Sequence, residues 1–258
     1  MPNDREATAK YYDLQTMRFD DVPFYLGQLP SPDARVLELG CGTGRVLIPL
    51  AAQCRRIVGV DASEAMLAQC RQKLQAAGLP ESKARIVLGD IADLELGESF
   101  DYIIAPFRVM QLLITDAALD GLFRTIGRHL APGGTCILNA FRPFLPRERM
   151  VKEWASDKEV LDYAARVDGG RITRHHACRR LQTDPLVVCP EFIFRRYEGD
   201  RLAEETVEPL NMRCFYAEEF TALIESHGFR ITACWGGYSG ETYGEGPELV
   251  VAFTQQEE

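Results

Sequence analysis

Three glycines fall within five residues, Gly40-Cys41-Gly42-Thr43-Gly44, between the apolar run Arg35 to Leu39 (RVLEL) and a helically spaced stretch from Thr43 to Gln53. A short apolar run stopped by glycine reads as a buried strand. Glycine lets the backbone turn tightly and approach a ligand, and helix-start N–H groups are hydrogen-bond donors without intrahelical partners. A second strand-like run, Arg56 to Val60 (RIVGV), leads into Asp61. A carboxylate about 20 residues beyond a glycine turn is placed to accept bonds from two ribose hydroxyls, which describes a site for an adenosine cofactor.

The same alternation continues down the chain. Ser63 and Glu64 read as the N-cap and first-turn acid of EAMLAQCRQKLQAAG, with Gly78 as its stop. Strand-like runs follow at Ala84 to Leu88 and Phe100 to Ala105, then a helical stretch from Asp116 to Leu130. After Pro132-Gly133-Gly134 comes a strand from Thr135 to Ala140. Continuous apolar strands separated by helices predict a parallel sheet covered on both faces, with every strand C-terminus on one edge. The rhythm changes at Arg142. Up to about Arg213 the segments RITRHHACRRL, LVVCPEFIFRRY and RLAEETVEPL read as antiparallel strands or hairpins. A helix from Ala217 to His227, stopped by Gly228, and the strands FRITACW and ELVVAF complete the pattern.

Size and composition narrow the classes. At 258 residues, 46% hydrophobic and 26% charged, the chain is expected to fill a core. No apolar run reaches the ~20 residues that span a bilayer, and MPNDREATAK has no signal-peptide core, so a cytoplasmic protein is expected. Eight cysteines without a C-x-x-C pair read as reduced, mostly buried thiols. The net charge of −9 disfavours a nucleic-acid substrate. The middle of the chain is nevertheless basic, with Arg142, Arg147, Arg149, Lys152, Arg171, Arg174, Arg179 and Arg180. That run is either a solvated face or the rim of a pocket for an anionic acceptor.

The glycine spacing bears on the cofactor. A dinucleotide-binding G-x-G-x-x-G would need glycine where this chain has Arg45. The segment Glu38-Leu39-Gly40-Cys41-Gly42-Thr43-Gly44 instead resembles the first motif of class I S-adenosylmethionine-dependent methyltransferases. Val58-Gly59-Val60-Asp61-Ala62-Ser63 with Met66, Gly89-Asp90-Ile91, Phe100 to Ala105, and Leu130-Ala131-Pro132-Gly133-Gly134 resemble that family's later segments, in its order and spacing. The resemblance implies an α/β fold: a Rossmann-like, seven-stranded, mostly parallel sheet with helices on both faces, plus a β-rich cap before the last helix. The expected division is 1–30 N-terminal helical lid, 31–141 cofactor-binding core, 142–213 substrate cap and 214–258 completion of the sheet.

By the same resemblance the cofactor is S-adenosylmethionine, with S-adenosylhomocysteine as product. Gly40 and Gly42 border its methionine part and Glu38 its amino group. Asp61 holds the ribose, Met66, Asp90 and Ile91 flank the adenine, and Ala105 and Pro106 meet the sulfonium. Cys41, Arg45 and Ala62 complete the expected cofactor set. Tyr11-Tyr12-Asp13-Leu14, ahead of Phe19 to Leu29, resembles the lid of bacterial small-molecule methyltransferases, which assigns Tyr12 and Tyr11 to cofactor and substrate contact. Arg18 is either a carboxylate partner or a surface ion pair.

After the fourth strand, similar proteins often read Arg-x-Phe-Gln-His-Leu; this chain has Met110 and Leu112 in place of the aromatic and the histidine. Any role of that histidine does not transfer, which leaves Arg108 and Gln111 as polar pocket candidates. His175 and His176 are catalytic candidates that point to opposite faces if they lie on a strand. Glu191, Arg213, Tyr216 and Tyr238 are weaker ones. No acidic metal-binding pattern of the catechol type is present, and no metal is expected.

The layout resembles glycine and amino-sugar N-methyltransferases and many enzymes of specialised metabolism, which implies transfer to a nitrogen or oxygen, with carbon as the lesser alternative, of a small molecule; a monomer or homodimer without nucleic-acid or membrane partners is expected. Three rivals compete. A nucleic-acid methyltransferase usually shows Asn/Asp-Pro-Pro-Tyr where this chain has Ala105-Pro106-Phe107-Arg108. A nicotinamide oxidoreductase is opposed by Arg45. A cofactor-binding scaffold without turnover shares every binding motif.

Overall fold

The computed structural model describes residues 8–14 and 21–256. Arg18 and Phe19 lie outside the described residues. Seven strands form the main sheet: β1 (Arg35–Leu39), β2 (Arg56–Asp61), β3 (Ala84–Leu88), β4 (Phe100–Ala105), β5 (Leu130–Phe141), β11 (Phe229–Trp235) and β12 (Glu248–Gln255). Their order is β11-β12-β5-β4-β1-β2-β3, and only β12 runs against its neighbours. The expected α/β fold is therefore present. Because side chains alternate across a strand, each strand feeds two cores. Leu37, Val58 and Ile103 pack on one face with Leu122 and Phe123 of α4 (Asp116–His129) and Phe220 of α6 (Ala217–Ser226). Val36, Ile57 and Tyr102 pack on the other with Tyr25 of α1 (Val22–Gly27), Leu50 of α2 (Leu47–Gln53) and Leu67 of α3 (Glu64–Ala76).

A second, antiparallel sheet follows β5 and the short α5 (Arg147–Glu153). Its strands are β6 (Ser156–Val167), β7 (Gly170–Thr183), β8 (Leu186–Glu198), β9 (Arg201–Pro209) and β10 (Met212–Arg213), with β9 and β10 pairing successive parts of β8. Met150, Leu186, Val188 and Cys214 pack together at its root.

Local departures from expectation have plain causes. Helix α2 starts at Leu47 rather than Thr43, because Gly44 at φ +85° cannot continue a helix. Strand β5 begins at Leu130 and absorbs Pro132-Gly133-Gly134 as an irregularity in its pairing with β4. Strand β6 carries a largely exposed, charged sequence, SDKEVLDYAARV, and so lacks the apolar alternation that marks a strand. Its pairing with β7 makes it one.

Candidate active site

The turn after β1 is closed by its neighbours on β2. The N–H groups of Gly40 and Cys41 both donate to the Val60 carbonyl, at 2.7 and 2.9 Å. Gly42 N–H donates to Asp61 Oδ2 at 2.8 Å, and Ser63 N–H to Asp61 Oδ1 at 2.9 Å. Asp61 is thus oriented by a backbone donor on each oxygen. Ser63 caps α3 through Met66 N–H at 3.2 Å, as its position in the sequence predicts. Asp90 is exposed and accepts Ala92 N–H at 2.8 Å, while Met66 and Ile91 are buried and Ala62 is exposed. Ala105 and Pro106 are buried at the end of β4.

Glu38 lies one residue before the end of β1. It is fully buried, its Oε2 has no hydrogen-bond partner, and burial pushes its carboxyl well above the ordinary range, against the opposing charge of Arg45. Arg45 makes a two-pronged ion pair with buried Asp21, at 3.0 Å for one contact. This guanidinium therefore braces the loop against the segment leading into α1.

Beyond β4 the backbone bends sharply. Phe107 and Arg108 have φ of +57° and +67°. Arg108 N–H donates to Asn139 Oδ1 at 2.8 Å, and its guanidinium pairs with buried Glu248. Gln111, also buried, donates to the Arg213 carbonyl at 2.7 Å and accepts Phe141 N–H at 2.8 Å. The two polar candidates of this turn are thus committed to neighbouring strands.

The N-terminal turn, Ala9–Leu14, sits between the glycine loop and the cap. Asp13 accepts from Thr43 Oγ1 at 2.8 Å and pairs with Lys73 of α3 at 2.6 Å. Tyr11 stacks on Phe194 of β8 at 5.7 Å, and its carbonyl accepts from the Tyr163 hydroxyl at 3.2 Å. Thr8 hydrogen-bonds Glu208 of β9. Tyr11 is therefore taken up in the cap interface, whereas Tyr12 is half-buried and close enough to Arg45 to act on its charge.

The adjacent histidines divide as strand geometry predicts. Ile172, Arg174 and His176 alternate along β7 on the face where Ile172 and Phe194 pack with Tyr11. His176 Nδ1 lies 2.6 Å from Asp162 Oδ1, and Arg174 Nε donates to Asp162 Oδ2 at 2.9 Å. Burial acts to raise the Asp162 pKa, but the His176 hydrogen bond and the Arg174 charge outweigh it and hold the carboxyl below its usual range. His175 is on the opposite face, its Nδ1 buried without a partner.

The basic run of the middle segment is largely matched. Arg147 pairs with Glu219, Arg149 with Glu153 and Arg179 with Glu191, while Arg142 donates to the Gly246 and Glu245 carbonyls. Arg213 pairs with Asp116, the Tyr216 hydroxyl donates to the Leu145 carbonyl, and Tyr238 packs against Phe24 and Tyr25 of α1.

Residues 36–134 match a family described as "Methyltransferase domain". Two curated relatives align with 81% of the chain. One is a dTDP-3-amino-3,4,6-trideoxy-alpha-D-glucopyranose N,N-dimethyltransferase of Streptomyces venezuelae, 26% identical and covered over 81% of its length. The other is a dTDP-4-amino-2,3,4,6-tetradeoxy-D-glucose N,N-dimethyltransferase of Saccharopolyspora spinosa, 27% identical and covered over 77%. An S-adenosylmethionine-dependent methyltransferase from Clostridium acetobutylicum ATCC 824 superposes with a TM-score of 0.76 over 99% of both chains at 16% identity. The chain is a class I S-adenosylmethionine-dependent methyltransferase of the small-molecule type.

The residues of this methyltransferase fit its cofactor. Asp61 keeps acceptor capacity on both oxygens, since each takes one backbone donor and has a further lone pair. The orphaned Glu38 Oε2 is a buried acceptor matched to an ammonium donor. A Cβ at Gly42 would meet nothing within 4 Å, so the loop has room beside it. Sequence reasoning missed Asp21, Phe107, Asn139, Asp162 and Glu248. All five are defined by contacts more than ten residues away in the chain, and nothing in their local sequence marks them. Among the described residues no helix is long and apolar enough to cross a membrane.

Proposed function

We propose that the methyltransferase transfers methyl groups to the amine of a small polar acceptor, an amino sugar or a similar specialised metabolite. The observation that carries this reading is that both relatives aligned over most of their length methylate amino-sugar nitrogens by their names. An amine-bearing acceptor rather than an anionic one follows from those names. The pairing of Arg142, Arg147, Arg149, Arg174 and Arg179 argues the same way, so the basic run is read as a matched face rather than an anion pocket.

Bound S-adenosylmethionine supplies a methyl group activated on a sulfonium. Glu38, Gly40, Gly42, Asp61, Met66, Asp90 and Ile91 are the residues proposed to hold it, with Ala105 and Pro106 at the reacting end. The protein's part in an in-line transfer is to align the acceptor and to exclude water. Tyr12 and the docked N-terminal turn are assigned to that exclusion. An amine acceptor must shed a proton to expose its lone pair or after transfer, and His176, oriented by Asp162, is the group proposed to take it. All eight cysteines are free thiols, which agrees with a cytoplasmic setting. The assembly is proposed as monomer or homodimer, to be read by light scattering.

The test is direct. The protein is incubated with S-adenosylmethionine and dTDP-3-amino-3,4,6-trideoxyglucose, with free amino sugars, and with the matching hydroxyl compounds. Mass spectrometry then reads product methylation. Methylation of an amine and not of its hydroxyl counterpart supports the reading; selective methylation of the hydroxyl compound overturns nitrogen transfer.

A further inference from the structure

Among the described residues only two other than glycine have a left-handed backbone, and they are adjacent: Phe107 at φ +57° and Arg108 at φ +67°. Such angles are unfavourable for any residue with a Cβ and persist only where the surroundings over-determine them. Here the surroundings are three buried polar side chains. Asn139 of β5 accepts Arg108 N–H at 2.8 Å through Oδ1 and donates a hydrogen bond from Nδ2 to Glu248 Oε2 at 3.0 Å. Glu248, the first residue of β12, closes the circuit on the Arg108 guanidinium. Gln111 ties the far end of the turn to Phe141 and Arg213, while its own N–H donates to the Arg108 carbonyl at 3.0 Å.

The clamped turn bears on the cofactor loop. Val109 packs on Gly40 so closely that a Cβ there would lie 2.5 Å from Val109 Cγ2. The Phe107 ring faces Arg45 at 5.5 Å and Arg108 at 5.9 Å. A buried ion pair adds little net stability against an apolar replacement, because desolvation offsets the attraction. The circuit is therefore better explained by the geometry it enforces.

We propose that Glu248, acting through Asn139 and Arg108, is a positioning residue that locks the Phe107–Arg108 turn against the cofactor loop. Arg108 then serves the clamp rather than the acceptor. Loss of the carboxylate lets the two residues relax toward right-handed backbone angles, which withdraws Val109 from Gly40 and loosens the loop that holds the methyl donor. The inference rests on methyl-donor binding and not on the class of acceptor.

The test compares wild type, Glu248→Gln, Arg108→Gly and the double variant, by calorimetric titration with S-adenosylhomocysteine, amide exchange over residues 107–113, and thermal unfolding. Glu248→Gln is expected to weaken S-adenosylhomocysteine binding about tenfold and to speed amide exchange in the turn, the scale on which network residues modulate a coupled site. The double variant is expected to recover most of that affinity, since glycine adopts the left-handed turn without a clamp. A merely stabilising pair would lower the melting temperature, leave the affinity unchanged and show no recovery. Affinity within twofold of wild type with unchanged exchange overturns the inference, as does a double variant no better than Glu248→Gln. Should Glu248→Gln fail to fold, Asn139→Ala carries the same comparison. A wild type that does not bind S-adenosylhomocysteine removes the cofactor and this inference together.

Discussion

Asp13 of the N-terminal turn and Lys73 of α3 meet at 2.6 Å, and Thr43 of the glycine loop bonds to both. The turn is thereby docked on the two elements proposed to hold the cofactor, while Thr8 and Tyr11 fasten its other side to the cap. The ion pair is more than a third exposed on each partner, so it contributes little to global stability, within about 1 kcal/mol. Asp13→Ala is expected to leave the melting temperature nearly unchanged and to speed dissociation of S-adenosylhomocysteine. Stopped-flow release beside a thermal melt checks this; an unchanged off-rate would remove the lid role.

Gly40 and Gly42 share left-handed backbone angles but not surroundings. A Cβ at Gly40 would collide with Val109, whereas one at Gly42 would meet nothing within 4 Å. Gly40→Ala is expected to destabilise by about 1–3 kcal/mol from overpacking on top of backbone strain, and Gly42→Ala by only about 1–2 kcal/mol from strain. Adding Val109→Ala relieves the first and not the second. Denaturant unfolding of the four variants decides the matter.

Asp61 receives backbone donors from Gly42 and Ser63 and is assigned to the ribose. Asp61→Ala is expected to cost about 1.5–3 kcal/mol in S-adenosylhomocysteine binding, from hydrogen bonds to a charged group. Calorimetry reads it, with nicotinamide dinucleotide as the negative control.

Burial raises the Glu38 pKa in the native state, so its neutral form is the stabilising one. That contribution is complete below the ordinary glutamate value of about 4.3 and is lost as pH rises toward the elevated native value. Glu38→Gln is therefore expected to become progressively more stable than wild type as pH climbs through that window, and level beyond it. The same substitution is expected to weaken S-adenosylhomocysteine binding. Unfolding curves across pH, paired with calorimetry, separate the two effects; a pH-independent stability gap would show that Glu38 ionises normally.

His176 and His175 offer a matched pair. Loss of a general base lowers turnover by about 10²- to 10⁴-fold, so His176→Ala should fall in that range on a reacting amine while S-adenosylhomocysteine affinity stays unchanged. His175→Ala, on the other face of β7, should turn over as wild type does. Equal effects of the two substitutions would point to cap folding instead.

Much of the core is legible in the sequence. The glycine loop, Asp61, the Ser63 cap and the limits of β1, β4 and β11 follow from local chemistry, because a strand stopped by glycine or a helix opened by serine is decided within a few residues. Strand β6 was not legible, since its exposed, charged residues hide the alternation and its identity comes from β7 across the sheet. Arg108 and Gln111 show the opposite failure. Their polarity suggested substrate contact, yet Glu248, Asn139 and Arg213, distant in sequence, had already taken them up.

The division follows from the range of the forces. Sequence alone determined the α/β alternation, the parallel core and the glycine turn that faces Asp61, because apolar periodicity, turn chemistry and capping act over neighbouring residues. Tertiary structure alone decided which of two adjacent histidines shares the face that packs with Tyr11, which tyrosine the second sheet absorbs, and which partners take up Arg108, Arg174 and Arg179. A charged or polar side chain is committed by whichever partner the fold brings within about 3 Å, and that partner stands elsewhere in the chain.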